Sequence, residues 1–229
     1  MNWFSSFITS SIGQKIIMSL TGLFLIIFLV VHLAGNFQLL SDDMGESFNV
    51  YAHFMTTNPL IKTVSYGLYF FILLHAVQGI LLAYKNRKAR GGARYAVVSS
   101  KNTSFASRNM ALLGTLIFVF ICIHMGDFWY QMKFTNNLPL KEYASIDVPV
   151  KDLYAKVSVT FDQLWFVVLY VVSMIVLALH LIHGFQSAFQ TLGINHKKYT
   201  PIIKFLGVVY SVLVPIGFAI IPVYFYLFK

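Results

Sequence analysis

The sequence predicts an all-α, polytopic membrane protein: five transmembrane helices, four of them bundled around a shared interior, with the N-terminus cytoplasmic. Three observations predict it. Of the 229 residues, 58% are hydrophobic and only 11% are charged, a balance that no ordinary soluble domain approaches. Five apolar stretches are long enough to cross about 30 Å of hydrocarbon at about 1.5 Å per helical residue. Four of the five contain histidine, a residue kept inside a membrane only where it faces protein, water or a ligand.

The spans follow in chain order, at about 14–40, 63–84, 109–131, 163–190 and 202–228, and together make one transmembrane domain over 1–229. Helices are the default, because strands would give short alternating segments. The first span follows MNWFSSFITSSIGQK, which lacks a charged n-region, a short apolar run and an A-x-A site, so it is expected to stay in the mature chain. The second runs into Lys85, Arg87, Lys88, Arg90, Arg94, Lys101 and Arg108, a basic loop with no acidic residue. By the positive-inside rule that loop is cytoplasmic. Five spans then put the N-terminus inside and Lys229 outside. The loop between the fourth and fifth spans, with Lys197, Lys198 and Lys204, falls inside as well.

All eight carboxylates sit at the other face: Asp42, Asp43 and Glu46 in the first outer loop, and Asp127, Glu142, Asp147, Asp152 and Asp162 around the second. The net charge of +9 therefore reflects topology rather than a nucleic-acid partner. The basic loop reads both as an insertion signal in contact with anionic lipid and as a docking surface for a cytoplasmic partner. Cys122 is the one cysteine, so no disulfide framework, Cys-ligated cluster or C-x-x-C-H attachment can be built, and it reads as a small packed residue. No G-x-G-x-x-G or G-x-x-x-x-G-K motif signals a nucleotide site.

His53 and His196 lie in loops, whereas His32, His75, His124, His180 and His183 lie in apolar helices. Lys15 to His32 is 17 residues and Arg108 to His124 is 16, a rise of about 25 Å in each case, which puts both in the outer half. His75 stands 10 residues before Lys85, and His180 is 18 past Asp162. Both fall at or below the middle. Two histidines at an outer level and two at an inner one suit a pair of stacked cofactors held from opposite sides. Haem fits best, because two neutral imidazoles give a low-spin iron with no open position, suited to electron transfer. Gly35, Gly79, Gly126 and Gly184 follow the histidines, and a missing side chain there lets a flat macrocycle approach the backbone. A hydrogen-bonded interhelical histidine is the competing reading of each residue, and small glycines also mark ordinary helix contacts. His183 competes with His180.

SSIGQKIIMSLTGLFLIIFLVVHLAGNF at 10–37, LLHAVQGI around His75, ICIHMGDFW around His124 and LHLIHGFQSAFQTLG at 179–193 give the chain a resemblance to the diheme cytochrome b membrane-anchor subunit of succinate dehydrogenase and fumarate reductase, of the type with five transmembrane helices. The resemblance covers nearly the whole chain. It implies His180 rather than His183 as ligand, from the spacing to Gly184 and Gly193, and it pairs His32 with His124 around an outer haem b and His75 with His180 around an inner one. Some relatives carry a Glu two residues before the fourth ligand; here that position is Ala178, so a proton route built on that Glu is not carried over.

The family further implies a flavoprotein that handles the dicarboxylate and an iron-sulfur subunit, both on the cytoplasmic face of a bacterial inner membrane. The chain would be the non-flavin subunit of this quinone oxidoreductase, carrying electrons of the respiratory chain and tricarboxylic acid cycle between iron-sulfur subunit and menaquinone. Direction, succinate oxidation or fumarate reduction, stays open. Quinone reduction takes up protons, so ionisable groups near outer water are required; Asp127 is the first candidate, with Glu46 and His53 behind it. Against these stands a capping or snorkelling role for Asp127. Lys15, Ser19 and Arg108 are candidate partners of haem propionates, and Trp129 and Trp165 read as interfacial belt residues. The alternatives are a diheme anchor of another respiratory dehydrogenase, a His-relay proton-coupled transporter, and a structural anchor with idle histidines.

Overall fold

The computed structural model describes residues 2–90, the side chain of Arg90 excepted, and 105–229. Arg94 and Lys101 of the basic loop lie outside them. Five helices are long and apolar enough to cross a membrane: Ser11–Leu40, Pro59–Ala89, Met110–Phe134, Leu164–Thr191 and Thr200–Phe228.

A short helix α1 (Trp3–Thr9) leads into α2 (Ser11–Asn36), which tightens into a 3-10 turn over Phe37–Leu40. The corner between them is set by Ser10, whose hydroxyl oxygen accepts the Gly13 amide at 3.0 Å and caps α2. A side chain at Gly13 would collide with the Phe7 carbonyl, so only glycine allows the corner. Then come α3 (Glu46–Thr57), α4 (Pro59–Arg90), α5 (Phe105–Arg108) and α6 (Met110–His124), which widens into a π-type turn over Met125–Trp129 before α7 (Tyr130–Phe134). Strands β1 (Leu140–Tyr143) and β2 (Ile146–Lys151) form an antiparallel hairpin, and α8 (Leu153–Phe161), α9 (Leu164–Thr191) and α10 (Thr200–Phe228) complete the chain. The hairpin and α8 occupy what the sequence reads as an outer loop, so the chain is mostly rather than wholly helical.

The spanning segments close a ring of contacts: α2 touches α4 and α9, and α6 touches the same two helices. Helix α10 lies against α9 and α2 from outside that ring. It continues through Pro215 and Pro222, and its Tyr210 donates a hydrogen bond to the Ile26 carbonyl on α2 at 2.6 Å. Most of the surface of these helices faces outward and is apolar, which water would not tolerate and lipid does.

A buried apolar core sits at the acidic end, where Leu39, Phe48, Val157, Phe161, Val167, Tyr170, Ile221 and Phe225 join α3 and α8 to the ends of α9 and α10. At its side Asn49, fully buried, donates to Asp152 Oδ1 and to the Tyr143 hydroxyl, each at 2.8 Å, and accepts the Tyr154 amide at 2.9 Å. Asp152 in turn caps α8 through the Ala155 amide at 3.0 Å. The acidic end is thus a folded cap on the helices, not a set of loose loops.

Candidate paired-histidine site

Four helices each bring one histidine to the interior of the ring, and the histidines meet in twos. The His32 and His124 rings, from α2 and α6, have centroids 5.8 Å apart with planes at 80°. The His75 and His180 rings, from α4 and α9, stand 6.3 Å apart at 67°. The two pairs lie at different depths, and three helices measure the offset. On α2, Gly22 faces His75 and stands ten residues before His32; on α6, Gly114 faces His180 and stands ten before His124; on α9, Tyr170, bonded to His124, stands ten before His180. Ten helical residues are about 15 Å.

The surroundings of the pairs differ. The His32–His124 pair is walled by aromatic rings: Phe28 stacks on His32 at 5.2 Å, Phe218 of α10 lies 5.5 Å from it, and Phe120, Phe128 and Tyr170 lie within 6.0 Å of His124. His124 Nδ1 is 3.2 Å from the Tyr170 hydroxyl, and the Asn36 amide lies 3.3 Å from His32 Nδ1. The His75–His180 pair is bounded by small groups instead. A Cβ at Gly22 would stand 3.3 Å from His75 Cε1, and one at Gly114 would stand 3.6 Å from His180 Cε1. His75 Nδ1 is 3.1 Å from the Thr21 hydroxyl, whereas His180 Nδ1 is buried and, among the described residues, unpartnered, as is Gln78 Oε1.

These residues fit a haem in each pair. Two imidazoles sharing one iron, with metal–nitrogen bonds of about 2 Å, have ring centres about 6 Å apart, and both pairs match that separation. Backbone without side chains at Gly22 and Gly114 lets the His75 and His180 rings rest against α2 and α6. Among the described residues no three His, Cys, Asp or Glu side chains converge; the histidines stand in twos. His183, half-buried on α9, makes no ring contact with either pair among the described residues, and it is His180 that faces His75.

The glycines singled out in the sequence divide by use. Gly79 and Gly184 face only flexible methionine methyls, Met18 at 3.3 Å and Met110 at 3.7 Å, and Gly126 has nothing within 4 Å of a Cβ position. Gly35 serves a different end: Tyr51 of α3 lies on it, 2.6 Å from where a Cβ would be. It seats the cap against α2.

The ionisable candidates are not brought together. Asp127, in the π-type turn three residues past His124, forms an ion pair with Lys156 of α8 at 2.6 Å and accepts the Thr160 hydroxyl at 3.3 Å. Glu46 accepts the Ser145 hydroxyl of the hairpin turn at 2.6 Å. His53 is half-buried on α3. At the basic end Lys15 and Arg108 are exposed, and Ser19 is buried with its proton donated to the Lys15 carbonyl at 2.9 Å. Lys85 reaches buried Gln14 at 3.0 Å. Trp129 donates to the Tyr69 hydroxyl at 2.6 Å, and Trp165 is exposed.

Thr21, Gly22, Gly114, Tyr170, Lys156 and Thr160 escape the sequence reading. The first three sit inside apolar runs where Thr and Gly read as packing. Tyr170 and the two α8 residues depend on a partner helix that no local pattern announces. Compared with protein families, curated proteins and solved structures, the chain matches none. Fold and site define it by class: a multi-pass membrane protein whose spanning helices carry two stacked histidine pairs.

Proposed function

We propose that the chain is the membrane-anchor cytochrome b subunit of a succinate:quinone oxidoreductase, carrying electrons between a cytoplasmic iron-sulfur subunit and membrane menaquinone, with two b haems as resident cofactors. The observation that carries the reading is the stacking of two histidine pairs, 5.8 and 6.3 Å between ring centres, on four different spanning helices. The sequence resemblance supplies the partners.

His32 and His124 would hold one haem and His75 and His180 the other; bound there, each haem supplies one-electron redox chemistry without an open coordination position. The four helices orient the imidazoles and exclude water from both levels. At the acidic end, outer on this reading, Asp127, three residues past His124, forms an ion pair with Lys156, and through them protons reach a quinone from outer water. Glu46 and His53 of α3 are the further candidates for that route. The basic end, with Lys85, Arg87, Lys88, Arg108, Lys197, Lys198 and Lys204 and no carboxylate, faces the cytoplasm and the iron-sulfur subunit. The chain contributes no dicarboxylate chemistry; that belongs to the flavoprotein.

The test is the reduced-minus-oxidised spectrum of the purified membrane complex. A b-type α band, with a flavoprotein and a cysteine-rich subunit co-purifying, supports the reading. A colourless protein overturns it in favour of a histidine-relay transporter, and a coloured one with other partners points to another dehydrogenase.

A further inference from the structure

The two rings of the His75–His180 pair are held unequally. Thr21, 4% exposed on α2, places its hydroxyl oxygen 3.1 Å from His75 Nδ1. The hydroxyl proton is already directed to the α2 backbone, with the Ile17 carbonyl at 2.9 Å and that of Met18 at 3.1 Å. A hydroxyl has one proton and two lone pairs, so toward His75 the oxygen can only accept. With the hydroxyl proton given to the backbone, Nδ1 is the protonated ring nitrogen, and in a neutral imidazole that leaves the lone pair on Nε2. The next residue, Gly22, lets the same ring rest against α2, a Cβ position being 3.3 Å from Cε1. Across the pair, Gly114 gives His180 a similar approach at 3.6 Å, but among the described residues no hydroxyl meets its buried Nδ1.

From this we infer that Thr21 is a positioning residue: it fixes the tautomer and ring orientation of His75, so that Nε2 is the nitrogen presented to iron, and it makes His75 the anchored ligand and His180 the adjustable one. The inference rests on the haem reading of this pair and adds a determinant that the ligand set alone does not contain. A ring N–H engaged by an oxygen acceptor makes the other nitrogen a stronger donor. A stronger donor favours the oxidised iron. The Thr21 hydroxyl therefore lowers the potential of the haem at this level and leaves the other level, about 15 Å away, untouched.

The experiment is an optical and EPR redox titration of the assembled complex carrying wild-type Thr21, Thr21→Val or Thr21→Ser, with the inner haem identified by its loss in His75→Ala. Thr21→Val keeps the shape of the side chain and removes the acceptor. The expected result is an upward shift of the inner haem's midpoint potential and a changed low-spin g value for that haem alone, both restored by Thr21→Ser. Selective loss of the inner haem in Thr21→Val, with retention in Thr21→Ser, is the stronger form of the same result. Thr21→Val with both haems, both potentials and both g values as in the wild type would overturn the inference, and so would equal shifts of both haems. If Thr21→Val does not accumulate, Thr21→Ala is read by the same criteria. A wild-type complex without haem defeats the proposed function itself, which an unmoved potential in a two-haem variant does not.

Discussion

Asp127 shows how much a residue's role depends on what it touches. Three residues past His124, it would read as a carboxylate at the end of a helix, yet Lys156 from α8 lies 2.6 Å away and Thr160 closes its other oxygen. On the proposed function this ion pair is the proton-exchanging group at the outer boundary. Lys156→Met should lower quinone turnover about a hundredfold, the lower end of the usual scale for a lost proton-transfer group, while leaving the haem spectrum unchanged. Unchanged turnover across pH would remove Asp127 and Lys156 from the proton route.

Asp43 offers a pH prediction outside the membrane. A hydrogen bond from the Ser47 side chain, then those from the Ser47 and Gly45 amides, holds its carboxyl below the usual carboxylate range. The depressed folded-state value means that its stabilisation is fully present above the unfolded pKa and is lost as pH falls through the folded one. The group is largely solvated, so the effect is that of a surface cap, at most about 1 kcal/mol. Protection of the Ser47 amide against hydrogen exchange, corrected for the intrinsic rate, should fall below about pH 4 in the wild type and be low at every pH in Asp43→Ala.

Among the elements, the five spans were legible because apolar runs of that length have one physical solution in a bilayer. Their ends were less so: α4 begins at Pro59 and runs to Arg90, beyond the apolar stretch at 63–84, because charged residues at the interface continue a helix that lipid no longer requires. The cap was not legible at all. Asn49 finds its partners 94 to 105 residues away, and the β1–β2 hairpin is too short and too polar to stand out in a loop. At the site, depth counting sets His32 with His124 and His75 with His180 but leaves His183 beside His180, a choice that only the family resemblance makes, while Thr21, Gly22 and Gly114 need the neighbouring helix to give them meaning. Asn49→Leu should leave Asp152 buried with one donor fewer and the Tyr143 hydroxyl and Tyr154 amide unpaired, a cost of about 2–3 kcal/mol. Limited proteolysis should then cut the acidic end between 40 and 60 and between 135 and 163 while the spans stay protected. Wild-type protection there would show that the buried network contributes little.

For the whole molecule, eight carboxylates gather at one end of the helices and an unbroken set of cations stands at the other. The positive-inside rule turns this into an orientation. A reporter active only outside the cytoplasm should be active when fused after Lys229 and inactive when placed in the basic loop at 91–104; the reverse pattern would invert the molecule and separate it from a cytoplasmic iron-sulfur subunit. The central claim is more specific than topology, since it assigns four named imidazoles to two irons. The direct measurement is protohaem content per chain in the purified protein and in His124→Ala and His180→Ala. The account predicts two haems in the wild type and one in each variant, the survivors having different potentials. Fewer than two haems in the fully loaded wild type, or two retained in either variant, would contradict it.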